Sequence, residues 1–125
     1  MKKHNDSRPT KKQAQKWADA LRSGKYKQGR CQLQSEDGYC CLGVACDVFI
    51  KRKDMEFLYG RIHGCLPHQQ PNAPKWLKAI VGSYFYFTCE EEEYYCSLED
   101  MNDMSRCTFD MIADIIELEY VHFTE

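Results

Sequence analysis

Two stretches decide the fold: Trp17-Ala18-Asp19-Ala20-Leu21-Arg22-Ser23-Gly24-Lys25-Tyr26-Lys27-Gln28 and Tyr39-Cys40-Cys41-Leu42-Gly43-Val44-Ala45-Cys46-Asp47. In and just before the first, Ala14, Trp17, Ala18 and Leu21 recur at i, i+3, i+4 and i+7, one face of a helix. Thr10 stands where an N-cap belongs and Gly24 where a helix stops, so the spacing predicts a helix over about residues 10–23. The second stretch opens a run from Cys41 to Arg52 that is apolar nearly all round, the pattern of a helix buried centrally. Gly43 inside it predicts close approach to another backbone.

Outward from these stretches, Gly29 to Gln34 alternates around Cys31 and Leu33. Ser35-Glu36-Asp37-Gly38 then reads as a turn and Tyr39-Cys40-Cys41 as the returning strand of a hairpin. Phe57-Leu58-Tyr59 and Arg61-Ile62 read as a short strand, and Pro67, Pro71 and Pro74 punctuate a loop. Asn72 is the expected cap of a short helix carrying Trp76, Leu77, Ile80 and Val81. Residues 83–89 form the best strand, aromatic on both faces, with 94–98 returning beside it. Four carboxylates between them, Glu90 to Glu93, make a poor tight turn. Phe109, Ile112, Ala113 and Ile116 mark a last helix. The expected class is α+β, three or four helices on a small antiparallel sheet. Residues 1–9 are expected to be a disordered basic tail and residues 10–125 a single domain.

Charge is unevenly spread. Residues 1–30 hold ten Lys and Arg against two carboxylates, whereas residues 90–125 hold Arg106 alone against twelve. Such asymmetry suits an anionic partner at one end or a cationic one at the other, or the two ends lying side by side. No run approaches the ~18 apolar residues of a membrane span, and the N-terminus lacks an apolar signal region, so no membrane contact and a cytoplasmic setting are expected. In that setting the eight cysteines are expected as free thiols packed like small hydrophobes.

Three blocks resemble those of a family of small phage and prophage proteins. They are Trp17 with Ala20 to Gln28, then Tyr39 to Asp47, then Asn102, Asp103, Phe109, Ile112, Ala113, Asp114, Ile116 and Glu117. The third block departs from the family pattern in lacking a glycine in the loop Met104-Ser105-Arg106-Cys107-Thr108. The resemblance implies a dispensable viral gene acting in the host cytoplasm. Its product would block a host defence protein or sequester a signalling nucleotide, an argument by analogy only.

The loop after the first helix gathers Arg22, Lys25, Lys27 and Arg30 with Tyr26 and Gln28. Guanidiniums beside an aromatic ring suit a phosphate and a stacked base, so Arg22, Lys25, Tyr26, Gln28 and Arg30 are the expected ligand-binding set. A solvated basic helix end is the alternative. Asn102 and Asp103 are added as polar groups facing a ligand, against an alternative of cap and turn chemistry. No metal or cofactor is expected: His63, Cys65 and His68 form the only compact ligand cluster and no Cys-x-x-Cys occurs. Cys31 beside Arg30 is the least implausible nucleophile, but no catalytic motif surrounds it. The leading expectation is therefore a non-enzymatic protein that sequesters an anionic small molecule. The alternative is an inhibitor of a host defence effector or nuclease using the acidic C-terminal surface. The aromatic strand at 84–87 suggests an edge for homo-oligomer formation.

Overall fold

The computed structural model describes residues 6–122. Helix α1 (Lys11–Arg22) begins at a reciprocal cap: Thr10 accepts from the Gln13 amide at 3.1 Å while the Gln13 side chain accepts from the Thr10 amide at 2.9 Å. Its stripe of Ala14, Trp17, Ala18 and Leu21 is buried, as the spacing predicts. The Trp17 indole donates to the Cys41 carbonyl at 3.0 Å and so fixes α1 against α2 (Cys41–Phe49). Of the nine-residue basic tail expected to be disordered, residues 1–5 lie outside the described residues; Pro9 is buried and the Arg8 guanidinium lies 4.9 Å from the centre of the Tyr120 ring.

Strands β1 (Gln34–Ser35) and β2 (Gly38–Tyr39) pair through the two-residue turn Glu36-Asp37. The hairpin is shorter than the alternation suggests, because Cys31 takes a left-handed φ of 70° and breaks the extended run. A third segment replaces the lost length: Gly29 N–H donates to the Tyr39 carbonyl at 2.7 Å and Tyr39 N–H to the Lys27 carbonyl at 2.8 Å. The Cys40 sulfur caps α2 by accepting from the Gly43 amide at 3.3 Å. Cys41 to Cys46 are all buried, and Gly43 lies against the Leu33 carbonyl so closely that a Cβ there would stand 1.7 Å from its oxygen. The helix ends at Phe49 instead of continuing to Arg52, as Ile50 is extended.

Strands β3 (Phe57–Leu58) and β4 (Arg61–Ile62) pair around a Tyr59-Gly60 turn in which both residues are left-handed. Buried Gln70 ties this region down, accepting from Glu56 N–H at 2.8 Å and donating to the Glu56 and His63 carbonyls at 2.8 and 2.9 Å. Helix α3 (Lys75–Ile80) starts after Pro74, while Asn72, the expected cap, donates instead to the Asp54 carbonyl at 2.7 Å. Trp76 on α3 sits 5.8 Å from Trp17 and 5.1 Å from Phe49, ring centre to ring centre.

Strands β5 (Phe85–Cys89) and β6 (Glu92–Cys96) form the longest hairpin. Phe85, Phe87 and Cys89 face the core; Tyr84 and Tyr86 face out. The tight turn that four carboxylates disfavour does form, with Glu90 and Glu91 left-handed at φ 52° and 69°. A two-residue hairpin needs that twist, and both side chains remain in water, Glu90 pairing with Arg106 at 3.1 Å. Helix α4 (Leu98–Asp103), capped by Ser97, has no counterpart in the sequence reading. Helix α5 (Phe109–Glu117), capped by Thr108, buries Phe109, Ile112, Ala113 and Ile116 and continues as a π-helical turn, Leu118–His122. The class is α+β: among the described residues, five α-helices share one core with three two-stranded ribbons, and α1 packs chiefly on α5. No helix among them is long and apolar enough to cross a membrane.

Candidate functional site

Three of the expected ligand residues around the loop after α1, Arg22, Tyr26 and Gln28, are fastened to other elements of the protein. Arg22 forms ion pairs with Asp114 and, at 2.5 Å, with Glu117, joining α1 to α5. These carboxylates hold the guanidinium protonated, and in turn Arg22, followed by Gln15 at 2.6 Å, pulls the Glu117 carboxyl below its usual range. The basic and acidic ends of the chain thus lie side by side along this helix pair. Tyr26 donates its hydroxyl to Asp47 of α2, and its phenol is raised by burial first and by that carboxylate second. Gln28 donates to the Asn102 side-chain oxygen at 3.1 Å and to the Cys107 carbonyl at 2.9 Å, and accepts from Phe109 N–H at 3.1 Å.

Asn102 is fully buried on α4. Its oxygen also accepts from Cys41 N–H at 3.0 Å, and its nitrogen donates to the Gly29 carbonyl at 2.8 Å. Asp103 accepts from Cys31 N–H at 2.9 Å and holds that residue in its left-handed turn. Buried Asn102 therefore bonds to the 28–31 loop and to the start of α2, and exposed Asp103 bonds to the same loop from the surface. The seven expected ligand residues do converge in part: Gln28, Asn102 and Asp103 form one cluster, Arg22 and Tyr26 two separate ones. Lys25 and Arg30 are exposed, with no side-chain hydrogen bond or ion pair among the described residues.

The thiols divide by position. Cys40, Cys41, Cys46, Cys89 and Cys107 are buried, and all eight are free. Burial pushes the Cys40 and Cys107 thiols up to about 11 and Cys46 up to about 12, so they are protonated near neutrality. Cys31 and Cys65 are exposed. Among the described residues no three His, Cys, Asp or Glu side chains gather as metal ligands.

A different surface stands out for its apolar content. Tyr84, Tyr86 and Tyr95 form an exposed ladder on the outer face of the β5–β6 hairpin, Tyr86 being 78% exposed. Their rings touch: centres lie 4.3 Å apart for Tyr86 and Tyr95, 5.4 Å for Tyr84 and Tyr95. Beside them α5 and the first residue of its π-helical continuation carry a second apolar stripe, Met111, Ile115 and Leu118, at i, i+4 and i+7 on a face other than the buried one. Two clefts of about 350 and about 230 Å³ run between β5 and this stripe and share Tyr86, Ile115 and Leu118. Carboxylates border them: Glu119, 3.7 Å from the Arg8 guanidinium, lines the first, Asp114, ion-paired with Arg22, lines the second, and Glu93 lines an adjoining cleft together with Tyr86. Sequence reasoning marks the aromatic strand and the acidic third separately. It misses their union because the stripe on α5 is legible only once the buried stripe is assigned.

Residues 10–69 match the family model described as "Domain of unknown function (DUF8296)". That segment contains the first two sequence blocks, α1, α2 and the β1–β2 and β3–β4 hairpins. The third block and the tyrosine ladder lie beyond it. No curated protein and no solved structure matches the chain.

Proposed function

We propose that this chain acts by binding and blocking a protein partner, through the tyrosine ladder of β5–β6 and the Met111–Ile115–Leu118 stripe of α5. The observation that carries this reading is the groove between the exposed Tyr84, Tyr86 and Tyr95 and a stripe of half-buried Met111 and Ile115 with half-exposed Leu118. Large apolar side chains held in contact with water are an interaction surface by default, and tyrosine is enriched at the centres of such surfaces. The charge of the C-terminal third sets the partner's chemistry, since Asp114 and Glu119 at the groove are already engaged by Arg22 and Arg8. Residues 90–125 carry twelve carboxylates and one Arg, so the matching surface is basic around an apolar centre.

In the phage setting implied by the sequence resemblance, such a partner is a host defence effector or nuclease whose nucleic-acid surface the acidic face occupies, in the host cytoplasm. Capture of an anionic small molecule at Arg22, Lys25, Tyr26, Gln28 and Arg30 ranks second. Three of those five side chains are already bonded within the protein, leaving Lys25 and Arg30 for a ligand.

A photo-reactive phenylalanine analogue at position 86, activated in living cells, tests the first reading. The expected result is one dominant adduct with a second protein, rich in Lys and Arg at the cross-linked surface. Adducts only with a further copy of this chain would mean self-association, and no adduct at all would leave the groove without a partner; either contradicts the proposal.

A further inference from the structure

On another part of the molecule, an open cleft of about 340 Å³ lies among the β1 strand, the β3–β4 hairpin and the loop that follows it. Its lining includes Gln34, Tyr59, Arg61, His63 and Gln69, with no carboxylate among the lining residues. Glu36 pairs with Arg61 at 3.2 Å from outside the cleft, but its side chain is 81% exposed, so an anion can replace it at small cost.

The walls are held by backbone and amide bonds. Gln34 accepts from Ile62 N–H at 2.8 Å, Leu33 N–H donates to the Gly64 carbonyl at 3.0 Å, and Gln69 accepts from Leu66 N–H at 3.1 Å and from Cys65 N–H. Gly64, at φ 113°, leaves the room that the Gln69 side chain fills, since a Cβ there would stand 2.8 Å from it. Tyr59 sits at the hairpin tip in a left-handed conformation, φ 51°, with 92% of its surface exposed. The left-handed φ is what the two-residue turn requires; what bears on binding is that the exposed ring lines the cleft beside Arg61 and His63, an aromatic face available to a ligand.

We infer that this cleft is a binding site for a small anion carrying a planar ring, the ring lying on Tyr59 and the anionic group between Arg61 and His63. The volume is within the range of small-molecule sites, and guanidinium plus aromatic face is the pairing that recognises an aromatic phosphate or carboxylate. The inference is independent of the tyrosine groove, which shares none of these residues.

Nitrogen-proton NMR spectra of the whole chain, titrated separately with adenosine monophosphate, adenosine and inorganic phosphate, provide the test. Adenosine monophosphate is expected to saturate shifts at residues 58–65, more tightly than either fragment. Arg61→Gln and Tyr59→Ala should each weaken it about tenfold, the usual worth of a charge-assisted bond or a stacked base. Unchanged shifts elsewhere in both variants would show an intact fold. The inference is overturned by an absence of saturable shifts with all three probes, by phosphate binding as tightly as the nucleotide, by equal affinity in the variants, or by shifts centred on Lys25 and Arg30.

Discussion

The amide of Asn102 accepts from Cys41 N–H and from the Gln28 side chain and donates to the Gly29 carbonyl, so one residue on α4 joins the cap of α2 to the loop after α1. Asn102→Ala would leave Cys41 N–H and the Gly29 carbonyl without partners, while Gln28 keeps its bond to the Cys107 carbonyl. At about 1–3 kcal/mol for each orphaned group, a loss of about 3 kcal/mol or more in unfolding free energy is expected by urea denaturation. A loss below about 1 kcal/mol would show that water replaces the amide. Glu117 belongs to a weaker class of contact. Its folded pKa is depressed by Arg22 and Gln15, so its contribution is present above the unfolded value near 4.5 and is lost as pH falls through the lower folded value. Glu117→Gln should therefore cost up to about 1 kcal/mol at about pH 6, and the difference from the parent chain should shrink as pH falls below the unfolded value and disappear once Glu117 is protonated in the folded chain as well. A difference that grows on acidification would contradict the pairing.

Elements differ in how openly the sequence declares them. Helix α1 announces itself because cap, stripe and glycine stop are all local signals. The capped last helix is equally clear. The six-residue α4 is too short to show a period, and its one informative side chain, Asn102, resembles a turn residue until Gln28 is seen 74 positions away. For the same reason Gln28, Asn102 and Asp103 read as a ligand set: polar groups that satisfy a distant backbone and polar groups that await a ligand have identical spacing in the chain. Gly43 is the converse case, a single residue whose long-range consequence is readable. Gly43→Ala would push a Cβ into the Leu33 carbonyl, and α2 must move or the β1 approach must open. Overpacking of this kind costs about 1–3 kcal/mol or more, measurable as a lowered melting temperature. A variant as stable as its parent would place the two backbones further apart than described.

Across the whole molecule, the three sequence blocks meet one another. Trp17 reaches Cys41, Tyr26 reaches Asp47, Arg22 reaches Asp114 and Glu117, and Gln28 reaches Asn102. What looks in one dimension like three separate blocks is in three dimensions joined by bonds among α1 with its following loop, α2, α4 and α5. The two surfaces proposed for a partner and a ligand lie elsewhere, on the β5–β6 ladder and in the cleft beside Tyr59. This division of labour has a direct test in cross-linking from position 86 in cells, comparing the parent chain with Leu118→Ser, whose side chain is half exposed and whose loss should shift stability by no more than about 0.5 kcal/mol. The account predicts that the partner adduct disappears in the Leu118→Ser chain while its melting temperature stays within a few degrees of the parent. An undiminished adduct would contradict it.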